Sequence, residues 1–519
     1  MEVAQRRRST AATESAPEVL TKDRQENLAS PPKGSEAWAA DTPETAGYPI
    51  CVDLDGTLVR TDTLIEGVLA LGPGRRLVQA AALLGGPRAA FKAFVAREAD
   101  LDPALLPYNE TLLAWLREQK ACGRRLLLAT AADLQIARAV ADYLGLFDEV
   151  IASDGVRNNK GAAKATALAE RWGSGKFTYV GNGRDDLAVW REAGTGVTVN
   201  APASVVAAAR RSVALETSID DRPSLIRAAS RAIRPYQWVK NLLVFVPIVT
   251  AHALGELSAW IGAAIMFAAF SAAASGVYLI NDLSDLAGDR NHARKRHRPL
   301  ASGALPILAG AALAPALLAA GLALGAAAGA LGVVLTYIAL SLGYSLKLKE
   351  MPLVDIFILA GLYTIRLLGG GVATGHTLSL WLLGFSSFIF LSLALVKRVA
   401  ELRALNELLP GFAALRRGYY LSDLPMLQLF GCAASFSSCI VLALFVQDQV
   451  VTQHAASVLL WGIVPLLLFW QCRLWLSTAR GYMHDDPIIY AAHDWVSWLV
   501  ALTCAATLTV ASSHFFAEF

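Results

Sequence analysis

The sequence predicts two domains of different fold class: an α/β domain with a mostly parallel sheet, then an all-α domain that crosses a membrane several times. Three observations support this prediction. The 519 residues are too many for one ordinary soluble core. Hydrophobic residues make up 55% and charged residues only 17% of the chain. Short apolar runs alternate with helical stretches up to residue 215, whereas long apolar segments fill the chain after residue 234.

The composition also sets the domain limits. We predict a disordered tail at 1–46, an α/β domain at 47–215, a polar linker at 216–233 and a membrane domain at 234–519. A net charge of +3 gives no support for a nucleic-acid partner. No apolar stretch follows the basic residues at the start, so we expect no secretory signal. The six cysteines form no CxxC pair, which favours buried free thiols.

Nine transmembrane helices are expected from the apolar segments. These are 241–254, 258–280, 304–323, 326–346, 352–373, 378–396, 425–446, 455–472 and 489–512. Lys and Arg occur in the connections after segments two, four, six and eight, and not in the other connections or the C-terminal tail. By the positive-inside rule, the even connections and the α/β domain lie in the cytoplasm, and the C-terminus lies outside a cell (inner) membrane.

An acidic pair, Asp53 and Asp55, follows the first apolar strand in the motif DLDGT. One carboxylate can attack a phosphorus atom as nucleophile, and the other can donate a proton to the leaving oxygen. Polar residues follow later apolar strands in the order Thr130, Lys160, Asp185 and Asp186. Two alternatives stay open: solvated acids in an ordinary turn, or a folded domain that no longer turns over.

This ordered series resembles the haloacid dehalogenase-like (HAD) phosphatases. The resemblance implies a Rossmann-like parallel sheet with a helical cap, Asp53 as nucleophile and Asp55 as acid/base. It also implies that Thr130 and Lys160 bind phosphate. The residues implied to bind Mg²⁺ are Asp53, Asp55, Asp185 and Asp186. The family's late GDxxxD motif is here GNGRDD, with Asn182 in place of a carboxylate. The basic insert at 60–105 is either a cap that also rests on the membrane or an ordinary cap.

A second acidic motif, NDLSDLAGDR, ends the second apolar segment. On a continuous helix Asp282, Asp285 and Asp289 share one face, with Asn281 one turn before Asp285. Like charges on one stripe repel and are costly to desolvate near a membrane. We therefore expect them to hold Mg²⁺ that also binds a diphosphate.

The motif matches NDxxDxxxD of the UbiA-type polyprenyl transferases. Within that superfamily, residues 234–241, 344–349, 397–401 and 484–487 resemble the decaprenyl-phosphate phosphoribosyltransferases. Further Mg²⁺ ligands are expected at Asp485 and Asp486. The residues expected to bind substrate, mainly its phosphate groups, are Lys240, Asn241, Asn281, Arg290, Lys295, Arg296, Arg298, Tyr344, Lys347, Lys349, Arg366, Lys397, Arg398 and Arg480.

The resemblance implies transfer of phosphoribose from phosphoribosyl diphosphate (PRPP) to a polyprenyl phosphate, with Mg²⁺ in both domains. The fused phosphatase is then expected to remove the 5-phosphate of the product. Prenyl-diphosphate users normally carry a second DxxxD motif. That motif is incomplete here, because Leu359, four residues after Asp355, stands where the second Asp would be. The alternatives are prenyl transfer to an aromatic acceptor, and a scaffold that binds phosphate ligands without turnover. Membrane lipid is an expected partner, and a homo-oligomer is left open.

Overall fold

The computed structural model describes residues 47–72, 74–251, 253–408, 418–452, 455–483 and 487–512. The predicted tail at 1–46 and the predicted metal ligands Asp485 and Asp486 lie outside these ranges. The chain divides into two compact units. Unit 1 contains residues 1–229 and 282–310, and unit 2 contains residues 230–281 and 311–519.

Unit 1 is built on a six-stranded parallel sheet with strand order β3-β2-β1-β4-β5-β6. The strands are β1 Ile50–Val52, β2 Leu126–Asp133, β3 Glu149–Ser153, β4 Thr178–Gly181, β5 Thr195–Val199 and β6 Ala214–Ile219. Alternate residues of β1 point to opposite faces, as the two-residue period of a strand requires. Ile50 and Val52 join one buried cluster, and Cys51 joins another. The sheet is therefore covered on both faces, as parallel sheets are.

Helices cover this sheet and its carboxyl edge. They are α1 Thr63–Ala70, α2 Arg75–Ala82, α3 Arg88–Glu98, α4 Glu110–Ala121, α5 Leu134–Leu144, α6 Ala162–Trp172, α7 Leu187–Glu192 and α8 Ala203–Ser212. The insert at 60–105 contains α1, α2 and α3. Beyond the predicted boundary at residue 215, β6 continues to Ile219 and helix α9 follows at Leu225–Ala232. The predicted linker thus contains a strand end and a helix.

Helices, most of them apolar, make up most of the remaining chain. In order they are α10 Val246–Thr250, α11 Leu257–Ser284, α12 Leu286–Asn291, α13 Ile307–Ala327, α14 Leu331–Leu346, α15 Val354–Thr374, α16 Leu380–Leu408, α17 Leu424–Thr452, α18 Ile463–Ala479, α19 Pro487–His493 and α20 Trp495–Ser512. Six helical stretches in the described ranges are long and apolar enough to cross a membrane, or seven if α19 and α20, bent by 87°, form one span. The chain is a multi-pass membrane protein.

The prediction of nine transmembrane helices is not confirmed by this count. The first apolar segment forms a 3₁₀ stretch at Pro235–Phe245 followed by the five-residue helix α10. Helix α14 has 16 residues. At 1.5 Å per residue it is about 24 Å long, shorter than a bilayer core of about 30 Å. Both segments are apolar, so the hydropathy pattern alone did not distinguish them from full spans.

The free cysteines differ in exposure. Cys51 and Cys439 are buried as predicted, but Cys122 and Cys472 are exposed. Cys472 lies on the apolar helix α18, within a stretch long enough to cross a membrane. Burial within the protein was therefore the wrong expectation for these two thiols.

Candidate active sites

The first site lies at the carboxyl edge of the unit 1 sheet, where the loops after β1 and β4 meet. In open α/β sheets ligands bind at such a point, where the strand order reverses. A cavity of about 330 Å³ is lined there by Asp53, Asp55, Lys160, Lys164 and Asp186, among others. Four of these are sequence-predicted residues, and Lys164 was not predicted. Thr130 is fully buried in β2, where its hydroxyl oxygen accepts a 3.0 Å bond from the backbone N–H of Ala132.

Gly56 allows the loop after β1 to turn beneath this cavity. Its φ is +73°, in the left-handed region that favours glycine. A Cβ at this position would lie 2.2 Å from the side-chain nitrogen of Asn182. The DLDGT motif and Asn182 therefore approach each other directly, and a larger residue at position 56 would separate them.

Lys164 provides the positive charge beside Asp53. Its Nζ donates a 2.8 Å hydrogen bond to Asp53 Oδ1 and lies 3.8 Å from Asp186 Oδ1. Burial alone would lower the pKa of Lys164, but Asp53 and Asp186 raise it above its ordinary value. Lys160 instead pairs with Asp185 at 2.9 Å, and both side chains are about half exposed. Sequence reasoning therefore missed the lysine nearest the nucleophile, although Lys164 lies only four residues after Lys160.

Burial controls the protonation of the two motif carboxylates. It raises the pKa of Asp53 to about 6, with Lys164 opposing the shift and Asp186 adding to it. It raises the pKa of Asp55 to about 7, with the charge of Asp62 adding to the shift. Asp55 Oδ1 accepts a 2.8 Å bond from the backbone N–H of Thr63. Asp53 therefore ionises more readily than Asp55, which keeps its proton to a higher pH. A nucleophile and a general acid require this difference.

Asp186 is held by the loop that contains Asn182. Its Oδ2 accepts 2.9 Å bonds from the backbone N–H groups of Asn182 and Gly183. Its Oδ1 accepts a 2.6 Å bond from the buried hydroxyl of Tyr179. Burial and the charges of Asp186 and Asp53 raise the pKa of Tyr179 well above its ordinary value, so this hydroxyl stays a donor. Tyr179 was not identified from the sequence, because it sits inside an apolar strand.

The cap contributes Lys92 to the same cavity. Its Nζ donates to Ala131 O at 2.6 Å and to Asn158 Oδ1 at 2.9 Å. Burial lowers its pKa, with the charges of Asp55 and Asp62 opposing that effect. The insert that contains α3 therefore faces its own domain at this point, which agrees with the ordinary-cap alternative.

The acidic motif forms a second site in unit 1. Asp282 and Asp289 are almost fully buried, and Arg298 Nη1 lies 3.1 Å from Asp282 Oδ1 and 2.6 Å from Asp289 Oδ2. The predicted continuous helix is broken: α11 ends at Ser284, and Asp285 has φ −99° and ψ 18° before α12 begins. Ser and Asp side chains compete for backbone hydrogen bonds, which favours such a break. Asp282 and Asp289 are therefore bridged by Arg298 and do not lie on one face of a continuous helix.

The predicted basic residues near the motif have different surroundings. Lys295 and Arg296 are exposed. Arg290 is buried, with Nη1 and Nη2 bonded to Glu66 at 2.9 and 2.5 Å and Nε bonded to Ala301 O at 2.9 Å. The guanidinium of Arg290 already donates to Glu66 and Ala301 O, so these contacts do not fit the predicted phosphate-binding role of Arg290.

Mg²⁺ fits the donor chemistry of both sites in unit 1. No group of three or more His, Cys, Asp and Glu side chains within the described ranges has metal-binding spacing. Mg²⁺ needs fewer protein ligands, since it commonly uses one or two carboxylates together with water and substrate phosphate. Each site offers two carboxylates around one cationic group: Lys164 in the first site and Arg298 in the second.

Unit 2 brings together three predicted residues at a buried polar cluster. Asn241 Oδ1 accepts a 2.8 Å bond from Arg366 Nε, and Asn241 Nδ2 donates to Ser271 at 3.0 Å. Arg366 also donates to the hydroxyl of Tyr337 at 3.1 Å. Lys240 Nζ and the Arg366 guanidinium lie 5.7 and 5.6 Å from the centre of the Tyr363 ring. The buried guanidinium of Arg366 thus has polar and aromatic partners, which lower the cost of placing a charge in lipid.

A second cluster in unit 2 encloses Asp355. Its Oδ2 is bonded to Arg398, which also bonds Glu401, and its Oδ1 accepts a 2.6 Å bond from the hydroxyl of Tyr419. Asp355 is fully buried. The other predicted residues of this unit lie at or near helix ends: Tyr344 and Lys349 are half-buried, and Lys347 and Arg480 are exposed. Lys397 and Asn281 are also half-buried.

Comparison with known proteins follows the same division. Residues 242–477 match the UbiA prenyltransferase family, and residues 50–191 match the haloacid dehalogenase-like hydrolases. The y4nM protein of Sinorhizobium fredii is 32% identical over 89% of this chain and 91% of its own length. The nodulation protein NoeC of Azorhizobium caulinodans is 35% identical over 53% of this chain and 91% of its own.

A third relative, the decaprenyl-phosphate phosphoribosyltransferase of Corynebacterium glutamicum, is 42% identical over 179 residues, 33% of this chain and 54% of that protein. The parallel sheet with its acidic edge and the apolar helices with their acidic motif define a multi-pass membrane enzyme joined to a hydrolase-type domain. The chain belongs to the UbiA prenyltransferase family and carries a HAD-like hydrolase domain on its N-terminal side.

Proposed function

We propose that this enzyme transfers 5-phosphoribose from PRPP to a polyprenyl phosphate and then removes the 5-phosphate from the product. The 42% identity with a decaprenyl-phosphate phosphoribosyltransferase is the observation that carries the transfer step. The fused HAD-like domain supports the second step, because the product of the first step still carries a phosphate monoester. The match with y4nM extends over both domains, which agrees with a single two-domain enzyme.

In the transfer step, the phosphate oxygen of the polyprenyl phosphate attacks C1 of the ribose, and diphosphate leaves. We assign Mg²⁺ to Asp282, Asp285 and Asp289, where it supplies charge neutralisation for the diphosphate. Arg298 bridges two of these carboxylates and so keeps their buried charges together. Its 27% exposed side chain is also accessible to an incoming phosphate group.

Basic side chains of the predicted set are assigned to the three phosphate groups of the substrates. PRPP carries a 5-phosphate besides its diphosphate. These groups account for more Lys and Arg side chains than are needed to orient the helices by the positive-inside rule. Arg290 is left out of this set because Glu66 and Ala301 occupy its donors. Arg398 is left out for the same reason, because its two terminal nitrogens bond Glu401 and Asp355 in a fully buried position. The proposed substrate-binding residues are Lys240, Asn241, Asn281, Lys295, Arg296, Arg298, Tyr344, Lys347, Lys349, Arg366, Lys397 and Arg480.

The surroundings of Asp355 favour PRPP over a prenyl diphosphate as donor. A second metal site would need Asp355 to offer its oxygens to a cation. Here Arg398 and Tyr419 take up both oxygens in a fully buried position. Together with Leu359 in place of a second acid, this supports a structural role for Asp355.

In the hydrolysis step, Asp53 attacks the phosphorus of the 5-phosphate, and Asp55 donates its proton to the leaving ribose oxygen. The resulting aspartyl phosphate is attacked by water, which Asp55 deprotonates, so that phosphate is released and Asp53 is restored. Lys164 stabilises the negative charge beside Asp53 throughout. Thr130 and Lys160 are assigned to phosphate binding. Asp185 and Asp186 are assigned to Mg²⁺ binding.

The location and organisation of the chain are part of this proposal. We place the enzyme in the cell inner membrane with nine membrane segments, a cytoplasmic N-terminal domain and the C-terminus outside. The 3₁₀ stretch with α10, and the short helix α14, would supply segments beyond those recognised by length. The proposed domain limits remain 47–215 and 234–519, except that strand β6 extends the first domain to Ile219. A homo-oligomer is compatible with this arrangement.

Two variants test the two steps separately. In membranes containing the full chain, radiolabelled PRPP and polyprenyl phosphate should give a labelled lipid only with Mg²⁺. Asp282→Ala should abolish the labelled lipid, while hydrolysis of p-nitrophenyl phosphate continues. Asp53→Asn should leave transfer intact, and the phosphorylated lipid should accumulate.

Two outcomes would contradict the proposal. Label transfer from a prenyl diphosphate to an aromatic acceptor, with none from PRPP, would support the prenyltransferase alternative. An unchanged lipid product in Asp53→Asn would exclude the fused domain from the second step.

A further inference from the structure

Arg290 and Glu66 form a buried ion pair within unit 1, although they are 224 residues apart in the sequence. Glu66 is on α1 of the cap, and Arg290 is on α12, directly after Asp289. Both side chains are 5% exposed. Two parallel N–H···O bonds fix the guanidinium against the carboxylate, a geometry that lysine cannot reproduce.

Glu66 is connected to the loop that surrounds the proposed general acid. The hydroxyl of Thr61 donates to Glu66 Oε1 at 2.6 Å, and the N–H of Gly56 donates to Thr61 O at 3.0 Å. Two residues after Thr61, the N–H of Thr63 donates to Asp55 Oδ1. The carboxylate of Glu66 therefore holds one end of the short loop whose other contacts fix Asp55.

A second contact brings the same two segments together at Gly303. Its φ is +73°, and a Cβ there would lie 2.6 Å from both Cβ and the carbonyl oxygen of Arg60. Arg60 is itself fixed, since its Nη2 donates to Asp221 at 2.6 Å. The segment from Arg290 to Gly303 thus packs on the 56–66 loop at two points, and Ala301 O accepts from Arg290 between them.

We propose that Arg290 is a positioning residue for the phosphatase site: through Glu66 it fixes the loop that orients Asp55. This inference rests on the proposed phosphatase activity of the HAD-like domain. It has a functional consequence, because the residue next to Asp289 of the transferase motif then affects hydrolysis. The dense basic run after the acidic motif therefore includes one arginine that binds protein instead of phosphate.

The test uses the full chain in detergent with p-nitrophenyl phosphate and Mg²⁺. Arg290→Ala and Glu66→Gln should each lower kcat about ten- to a hundredfold with KM little changed, because the small substrate still binds while Asp55 is misplaced. Arg290→Lys should recover only part of kcat. The double exchange Glu66→Arg with Arg290→Glu should recover more than either single exchange. Arg294→Ala, an exposed arginine four residues later, is the matched control and should leave kcat unchanged.

Hydrogen exchange of the same proteins supplies a readout that does not need turnover. Peptides covering 61–70 should exchange faster in Arg290→Ala than in Arg294→Ala. Unchanged kcat and unchanged exchange in Arg290→Ala would overturn the inference. Absence of Asp53-dependent hydrolysis in the unsubstituted chain would instead contradict the proposed phosphatase function, and the exchange result alone would then decide whether Arg290 orders this loop.

Discussion

Lys164 Nζ donates a 2.8 Å hydrogen bond to Asp53 Oδ1 inside a cavity where both groups are nearly buried. Lys160, the lysine that motif order suggested, pairs with Asp185 in a more exposed position. A nucleophilic carboxylate that must approach a phosphate dianion needs a nearby positive charge to reduce their repulsion. The position of Lys164 identifies it as the stronger candidate for that charge.

Replacing these two lysines should therefore have unequal effects. Lys164→Met should lower kcat for p-nitrophenyl phosphate by about a hundredfold or more, the usual loss for one preorganised donor. Lys160→Met should have a smaller effect, mainly on KM, because its side chain is 47% exposed. Equal losses in both variants would show that both lysines supply this charge, and a larger loss in Lys160→Met would assign it to Lys160.

The sequence was sufficient to predict the α/β and membrane classes, the acidic pair and the second acidic motif. Those features depend on local order, since Asp53 and Asp55 follow an apolar strand directly. Lys164, Lys92 and Tyr179 were missed because their roles arise from packing between elements that are distant in the chain. The ion pair of Arg290 with Glu66 could not be inferred, since a phosphate and a carboxylate present the same chemistry to arginine. The helix break at Asp285 was missed because helical periodicity was assumed to continue.

Mg²⁺ binding to the HAD-like site should depend on pH. Without metal, the raised pKa values of Asp53 and Asp55, about 6 and 7, mean that the folded state binds more protons than the unfolded state between about pH 4 and 7. Stability of the metal-free domain should therefore fall as pH rises through that window. Mg²⁺ binds the ionised carboxylates, so its stabilising effect should grow from pH 6 to pH 8.

This dependence is measurable as the change in Tm on adding millimolar Mg²⁺ to the full chain at each pH. The double variant Asp53→Asn with Asp55→Asn is the control, and its Tm should not respond to Mg²⁺ through this site. A Tm increase in the unsubstituted chain that is larger at pH 6 than at pH 8 would contradict the assignment.

Removing Arg298 should destabilise the acidic motif. Asp282 and Asp289 are almost fully buried, and the loss of the guanidinium leaves their charges unscreened. Since Arg298 is 27% exposed, we expect Arg298→Ala to cost about 1–3 kcal/mol of stability, less than a fully buried ion pair. Thermal unfolding with and without Mg²⁺ would measure this, and Mg²⁺ should recover part of the loss. Exposed Arg294 is again the matched control. An Arg298→Ala protein as stable as Arg294→Ala would show that the bridge contributes little.

Asp355→Asn should reduce stability without changing the Mg²⁺ requirement of transfer. The buried Arg398 would lose a charged partner, at a cost of about 3–5 kcal/mol. The Mg²⁺ concentration for half-maximal transfer should stay as in the unsubstituted chain, whereas Asp282→Asn should raise it or abolish transfer. A large increase for Asp355→Asn would place Asp355 in a metal site and favour the prenyl-diphosphate alternative.

We propose that the acidic motif of this membrane enzyme supports phosphoribosyl transfer to a lipid phosphate. The most direct measurement is incorporation of label from ribose-labelled PRPP into lipid by membranes containing the full chain, with polyprenyl phosphate and Mg²⁺. The prediction is Mg²⁺-dependent labelling that is lost in Asp282→Ala and kept in Asp53→Asn. Absence of labelling from PRPP in the unsubstituted chain, or undiminished labelling in Asp282→Ala, would contradict it.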